Sequence, residues 1–134
     1  MAVFNNMPQG DAAVTLWTNP SPSAAFAAQT ITLSAAANTY RKLRIIYKRT
    51  LSNAENLSMW ADYDLGSVAS EYAAASDAMR FGISMKGTSY YYARYGEFTD
   101  STYTKIDWST AYRLNSTSGH NTNYCIPIYV QGIR

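Results

Sequence analysis

Nucleophilic and metal chemistry would have to come from very few residues in this chain. His120 is the only histidine and Cys125 the only cysteine among 134 residues. His120 lies in a polar Ser-Gly-His-Asn segment, where nothing would hold it against an orienting carboxylate, and Cys125 falls in a run typical of a strand. One histidine and one cysteine also cannot supply the three or four ligands of a zinc site. The pattern predicts no nucleophilic enzyme, no metal and no cofactor.

Acidic residues are the second possible source of chemistry, because a glycosidase needs two carboxyl groups a few ångströms apart. Sequence spacing cannot test the geometry of such a pair in an all-β chain. The candidates are Asp62, Asp64, Glu97, Asp100 and Asp107. Residues 62–66 (DYDLG) resemble a calcium loop, but the glycine comes one position too early for an EF-hand and a third ligand is missing. We interpret this segment as an Asp-rich turn and expect no hydrolytic activity.

The composition favours binding. Charged residues make up 15% of the chain, against the usual quarter, and twelve tyrosines accompany many Ser, Thr, Asn and Ala residues. Tyrosine on a background of small polar residues is typical of recognition surfaces, although strands favour Tyr and Thr as well. The net charge is +2, and the basic residues of segment 41–49 alternate with apolar ones. We interpret that segment as the solvated face of a strand and predict no nucleic-acid partner.

The densest aromatic segment is residues 90–92 (YYY). Side chains alternate across a strand, so at least one of these rings points away from the core unless another layer covers it. The same band continues through Tyr95, Tyr103, Trp108, Tyr112, Tyr124 and Tyr129. Exposed aromatic surface is typical of an interface with a subunit or a sugar; the alternative is burial between two sheets. The predicted receptor or interface contacts, chosen in or beside loops, are Tyr63, Tyr90, Tyr92, Tyr112, His120 and Asn121.

About eight short strands must position these residues. Apolar and polar residues alternate with a period of two, and turn signals recur about every ten residues. This pattern predicts an all-β fold, an antiparallel β-sandwich of jelly-roll-like form. We expect one domain over residues 13–134, preceded by an N-terminal arm, residues 1–12. The predicted strands lie near residues 14–17, 29–33, 42–48, 57–61, 81–85, 89–95, 103–108 and 124–130.

Further expectations concern two single residues, one alanine-rich segment and the core of this sandwich. Ile46 is the one apolar residue on the otherwise basic side of its strand, and Pro127 predicts a sheet edge or a bulge in the last strand. The alanine-rich segment 67–78 fits either a loop or a turn or two of helix. The predicted core consists of Leu16, Ile31, Leu33, Leu43, Ile45, Phe81, Ile83, Ile106, Ile126, Ile128 and Val130.

Membrane insertion is not expected, because no stretch approaches the roughly 20 apolar residues of a membrane span. The first six residues lack the basic region and apolar core of a signal peptide, which predicts synthesis in a cytoplasm. Scarce charge and abundant Tyr and Trp further predict a homotrimer, because three copies would bury aromatic surface that one small core cannot hide.

Both ends of the predicted domain resemble a known family. Residues 16–22 (LWTNPSP) and 26–33 (FAAQTITL) resemble the start, and residues 126–134 (IPIYVQGIR) the closing strand, of carboxy-terminal domains on bacteriophage tail fibres and baseplate proteins. The resemblance implies a virion structural protein, made in the host cytoplasm. It further implies a homotrimer that contacts the host surface, with a host glycan as a candidate receptor. Residues 1–12 would attach it to other virion proteins.

Two alternatives stay open. Domains of that family follow a long fibrous shaft, whereas only a short arm precedes the domain here, so a capsid-decorating or head-fibre protein is the first alternative. A carbohydrate-binding module, which shares the sandwich and the aromatic surface, is the alternative of another class. A polysaccharide-degrading tail enzyme needs a larger fold with a long groove, so the length of 134 residues argues against it. The resemblance brings no catalytic residues with it.

Overall fold

Nine strands make up most of the chain that the structure, a computed structural model, describes: residues 12–50, 58–64, 80–86, 89–99, 101–114 and 119–134. A short 3₁₀ helix, Ala37–Thr39, lies between the second and third strands. The strands are β1 (Ala13–Thr18), β2 (Gln29–Thr32), β3 (Lys42–Thr50), β4 (Ser58–Asp64), β5 (Arg80–Lys86), β6 (Tyr91–Phe98), β7 (Lys105–Arg113), β8 (His120–Asn121) and β9 (Tyr124–Ile133).

Two antiparallel sheets form the sandwich. Sheet A has the strand order β1-β9-β3-β4, and sheet B has the order β2-β7-β6-β5 with the short β8 paired to β7. The pairing of the first strand with the last resembles the nesting of a jelly roll, whereas β3–β4, β5–β6 and β6–β7 pair as neighbours in sequence. The predicted all-β, antiparallel β-sandwich is confirmed.

The core lies between the sheets and follows the period-two pattern. On β3, Leu43, Ile45 and Tyr47 are buried, and the Tyr47 hydroxyl donates a hydrogen bond of 2.9 Å to the Ser84 carbonyl of sheet B. Ten of the eleven predicted core residues are buried. The exception is Ile128, which is only half-buried, because Ile46 pairs with Tyr129 and Tyr47 with Pro127. Ile128 is therefore the extra residue of a β-bulge.

The sequence predicted either a bulge or a sheet edge at Pro127, and Pro127 does lie at this bulge. The edge alternative is wrong, because β9 is a central strand of sheet A. The pairing of β1 with β9 ends at Thr18, and the next residue, Asn19, makes two further hydrogen bonds to β9. The buried Asn19 side chain donates to the Pro127 carbonyl at 2.8 Å, and its backbone N–H donates to the Ile128 carbonyl at 2.8 Å. A side chain thus completes pairing beside the bulge.

Several predicted boundaries are wrong. Asp62, Tyr63 and Asp64 belong to β4 and not to a turn, because they pair with the basic strand β3; residues 65 and 66 lie outside the described residues. Tyr103 precedes β7, with a φ of 55°, and β7 runs on to Arg113 because it pairs with β6 along that length. His120 and Asn121 form β8 where a loop was predicted. The alanine-rich segment 67–78 and the arm up to residue 11 also lie outside the described residues.

Candidate functional site

The outer face of sheet B carries exposed and half-exposed aromatic residues beside a pocket. Alternation along β6 buries Tyr92, Arg94 and Phe98 and exposes Tyr91 and Tyr95. The two faces differ because successive side chains of a strand point to opposite sides. The exposed face of β6 is therefore the first part of the candidate site.

Three rings on this face form what we term the aromatic cluster: Tyr95, Tyr112 and His120. The Tyr95 and Tyr112 ring centroids are 5.7 Å apart, and those of Tyr112 and His120 are 4.6 Å apart in an edge-to-face arrangement. Pairing of β7 with β8 places Tyr112 directly opposite His120. His120 Nδ1 also lies 3.3 Å from the Thr110 hydroxyl. The cluster thus spans β6, β7 and β8.

An open pocket of about 610 Å³ adjoins the aromatic cluster and shares Tyr95 with it. Its lining includes the core residues Phe81 and Trp108, whose rings pack edge to face at 5.4 Å. The indole N–H of Trp108 is buried and has no acceptor among the described residues. Unsatisfied buried donors are rare, and each one requires an explanation. The full lining is Ala28, Arg80, Phe81, Tyr95, Gly96, Glu97, Asp107, Trp108 and Ser109.

A bulge in β7 positions the Tyr95 ring at the pocket. Arg94 pairs with Ala111 and Gly96 with Trp108, so Ser109 and Thr110 together oppose Tyr95. The Ser109 hydroxyl accepts a 2.9 Å hydrogen bond from the Tyr95 backbone N–H, replacing the missing ladder contact. Bulges often redirect side chains beside binding sites. This bulge holds β7 to β6 at Tyr95, the residue whose ring is exposed.

The charged rim of the pocket follows one row across three strands. Arg80 of β5 pairs with Glu97 of β6, which pairs with Asp107 of β7. Arg80 Nε lies 2.8 Å from a Glu97 carboxylate oxygen, and the Thr30 hydroxyl donates to Asp107 at 3.2 Å. Directly opposed like charges are unfavourable in a sheet. Here Arg80 flanks Glu97 and Thr30 flanks Asp107, so each carboxylate has a hydrogen-bond donor on the strand next to it. The row carries a net charge of −1 and offers several hydrogen-bond acceptors.

A buried arginine connects the site to sheet A. The Arg94 guanidinium donates to the carbonyls of Ser109, Tyr124 and Cys125 and lies 5.1 Å from the Phe26 ring centroid. Burial lowers the pKa of Arg94 to about 10. The side chain binds the bulge in β7 and two successive carbonyls of β9, so it holds three strands in register.

The predicted contact residues divide between this site and other places. Tyr112 and His120 belong to the aromatic cluster. Asn121 is beside it but half-buried, and its side chain accepts a hydrogen bond of 2.8 Å from the Asn123 N–H. Tyr90 is 38% exposed, with the Arg113 guanidinium 4.0 Å from its ring centroid. Tyr112 and His120 therefore lie on the outer face of sheet B. Asn121 pairs with the buried Ala111, and Arg113, the contact of Tyr90, pairs with the buried Tyr92, so Asn121 and Tyr90 lie towards the opposite face.

Tyr92 and Tyr63 do not belong to the site. Tyr92 is buried and stacks on Tyr124 at 3.9 Å, because alternation turns Tyr91 outward in its place. Tyr63 packs against Phe81, and its hydroxyl donates to the Gly82 carbonyl, which connects β4 to β5. We therefore remove Tyr92 from the candidate receptor contacts, and Tyr63 does not line the pocket.

The sequence predicts Tyr95 in the aromatic band and Glu97 and Asp107 among the candidate carboxylates, but it does not bring them together in one site. Part of the site could have been found from the sequence, because Tyr95 and Glu97 are two positions apart on one strand, and such residues share a face. Asp107 joins them only through the pairing of β6 with β7, and Arg80 through the pairing of β5 with β6. No sequence pattern specifies that register.

The described ranges contain no cluster of three His, Cys, Asp or Glu side chains arranged to hold a metal ion. Within the same ranges, no helix has the length and apolarity needed to cross a bilayer. Comparisons with protein-family models, with curated proteins and with solved structures found no match to this chain. The resemblance to bacteriophage tail-fibre and baseplate domains therefore stays a prediction made from residues 16–22, 26–33 and 126–134.

Proposed function

We propose that this protein is a non-catalytic binding module of a bacteriophage virion and that it binds a carbohydrate of the host surface through the outer face of sheet B. The observation that carries the binding role is the position of Tyr95. Tyr95 is 50% exposed, belongs to the aromatic cluster and also lines the pocket bordered by Glu97 and Asp107. An exposed aromatic ring next to fixed polar groups is typical of a small-ligand site.

The chemistry of a sugar ring matches this arrangement. A pyranose has an apolar C–H face, which packs on an aromatic ring, and an edge of hydroxyl groups, which donate hydrogen bonds to carboxylates. Tyr95 supplies the face, and Glu97 and Asp107 supply acceptors. Arg80 supplies a donor at the same rim. A ligand seated here would lie across β5, β6 and β7.

The virion setting rests on the resemblance of residues 16–22, 26–33 and 126–134, and the homotrimer stays a prediction from composition. A position on the capsid is the rival within the virion. Immunogold labelling of intact particles would separate tail from capsid. A carbohydrate-binding module of an enzyme would use the same face of the sandwich. Sequencing of the neighbouring genes tests that alternative, and flanking tail, portal or capsid genes would contradict it.

Binding can be tested on an array of neutral, amino and acidic bacterial saccharides. The wild-type protein should bind at least one class, and Tyr95→Ala should weaken that binding by roughly tenfold, the size of one aromatic contact. Tyr91→Ala is the matched control, because Tyr91 is an exposed tyrosine of the same strand that does not line the pocket. Equal losses in both variants, or no loss with Tyr95→Ala, would contradict the proposed site.

The same bound saccharide provides the test for catalysis. We expect it to be recovered intact after prolonged incubation, without new reducing ends. Turnover that disappears in Glu97→Gln or Asp107→Asn would show that the two carboxylates work as an acid–base pair and that the module is an enzyme.

A further inference from the structure

Sheet A carries an apolar row on its outer face, away from the pocket. The row crosses three strands, because Ile46 of β3 pairs with Trp60 of β4 on one side and with Tyr129 of β9 on the other. Trp60 is 67% exposed and Tyr129 38% exposed, with the half-buried Ile46 between them. This row explains the position of Ile46, the one apolar residue on the basic side of its strand. Aromatic anchors at the centre of a polar rim are typical of protein interfaces.

Charges of opposite sign lie side by side next to this row. Lys42 pairs with Asp64 and Arg44 with Asp62, so basic side chains follow β3 and acidic side chains follow β4. Arg44 donates two hydrogen bonds to the Asp62 carboxylate, at 2.8 and 2.9 Å. The Arg44 hydrogen bond lowers the pKa of Asp62, so the carboxylate is ionised at neutral pH. The face therefore carries a positive and a negative stripe in parallel.

Such a face is complementary to itself. Consider a twofold axis that lies between two facing copies, parallel to the strands and midway between β3 and β4. Rotation about this axis places β3 of one copy over β4 of the other and leaves each row at the same height along the strands. Lys42 then faces Asp64 of the second copy, Arg44 faces Asp62, and Ile46 faces Trp60. Tyr129 reaches past β4, which is the edge strand of sheet A among the described residues.

We infer that the outer face of sheet A binds a second copy of this chain, face to face and about a twofold axis between β3 and β4. The row-by-row charge complementarity favours a second copy over an unrelated partner, because an unrelated surface would have to reproduce both stripes in register. The contact is isologous, the commonest kind in homo-oligomers. It therefore gives a dimer, whereas the homotrimer expected from composition needs a heterologous contact.

Sedimentation of the full chain over a range of concentrations, up to about 100 µM, tests the inference. The wild-type protein should form a dimer, and Trp60→Ser should raise its dissociation constant at least tenfold. Tyr95→Ser, which removes an exposed ring from sheet B, is the matched control and should leave the dimer unchanged. A monomer or a trimer at all concentrations, or an unchanged dimer with Trp60→Ser, overturns the inference.

A charge exchange separates contact between copies from the ion pair within one copy. Asp62→Arg gives each copy two positive charges in the row of Arg44 and Asp62, and Arg44→Asp gives each copy two negative charges there. Two identical copies would then repel each other across the contact, so each variant alone should be monomeric. An equal mixture of the two should restore dimers that contain one copy of each. Circular dichroism must show that both variants are folded. Failure of the folded variants to associate when mixed overturns the inference and leaves the carbohydrate site of sheet B unaffected.

Discussion

At the residue scale, the two carboxylates of the pocket predict which sugars it accepts. Glu97 and Asp107 with one arginine, Arg80, give the rim a net negative charge. We expect neutral and amino sugars to bind and acidic sugars to be rejected, because a sugar carboxylate would be placed beside Asp107. Asp107→Asn should weaken binding of the preferred sugar about tenfold and reduce the discrimination against acidic sugars. Titration calorimetry with matched neutral and acidic saccharides checks this, and strong binding of acidic sugars to the wild type would contradict it.

Gly96 is a second residue with a sharp prediction. A Cβ atom there would lie 2.7 Å from Phe81 Cε2 in the core, whereas a Cβ at Gly82 would meet no atom closer than 3.5 Å. Gly96→Ala should therefore lower the free energy of unfolding by about 1–3 kcal/mol, the usual cost of overpacking. Gly82→Ala is the control and should change it by less than about 0.5 kcal/mol. Urea unfolding measures both, and equal effects would show that Phe81 moves aside without cost.

At the scale of elements, Arg94 holds β6, β7 and β9 together. Replacing it by methionine keeps the apolar stem but leaves the carbonyls of Ser109, Tyr124 and Cys125 without their donor. Buried polar groups without partners are costly, so Arg94→Met should lower the free energy of unfolding by about 3–5 kcal/mol.

Arg80→Met is the control for Arg94→Met, because Arg80 is exposed and its ion pair with Glu97 lies at the surface. Surface ion pairs contribute at most about 1 kcal/mol. Chemical denaturation compares the two variants. A loss with Arg94→Met no larger than that with Arg80→Met would mean that the strands hold their register without the guanidinium.

At the scale of the whole molecule, buried acidic groups predict a loss of stability in alkali. Burial raises the pKa of Cys125 from 9.0 to about 12 and that of Tyr63 from 10.0 to about 12. Both groups keep their protons in the folded state while the unfolded chain loses them, so stability falls from pH 9 towards pH 12. The slope is up to about 1.4 kcal/mol per pH unit for each group.

Arg94 acts in the opposite direction above pH 10, because burial lowers its pKa to about 10 while the unfolded chain stays protonated. The loss that is due to Cys125 should therefore be clearest around pH 9, before the tyrosines of raised pKa, Tyr47, Tyr63 and Tyr92, add to it near pH 10. Unfolding by urea at a series of pH values measures the slope. Cys125→Ala should reduce the loss around pH 9, and an unchanged slope there in this variant would assign the effect to another group.

The sequence by itself determined the class of fold and most of the core. Period-two alternation reports which side of a strand is apolar, and burial of that side is enough to specify Leu43, Ile45, Phe81 and Ile83 as interior residues. Turn residues likewise marked most strand boundaries. The pattern was least informative at bulges, where one extra residue breaks the alternation, as Ile128 and Pro127 illustrate.

Only the tertiary structure decided which residues share a surface. The site combines Arg80, Glu97 and Asp107 through strand register, and register depends on pairing between segments that are distant in sequence. The same holds for Trp60, Ile46 and Tyr129 on sheet A, and for the choice of Tyr95 over Tyr92 as the exposed ring. Side-chain type is a local property that the sequence carries directly, whereas neighbourhood across a sheet is set by hydrogen bonding and packing of the folded chain.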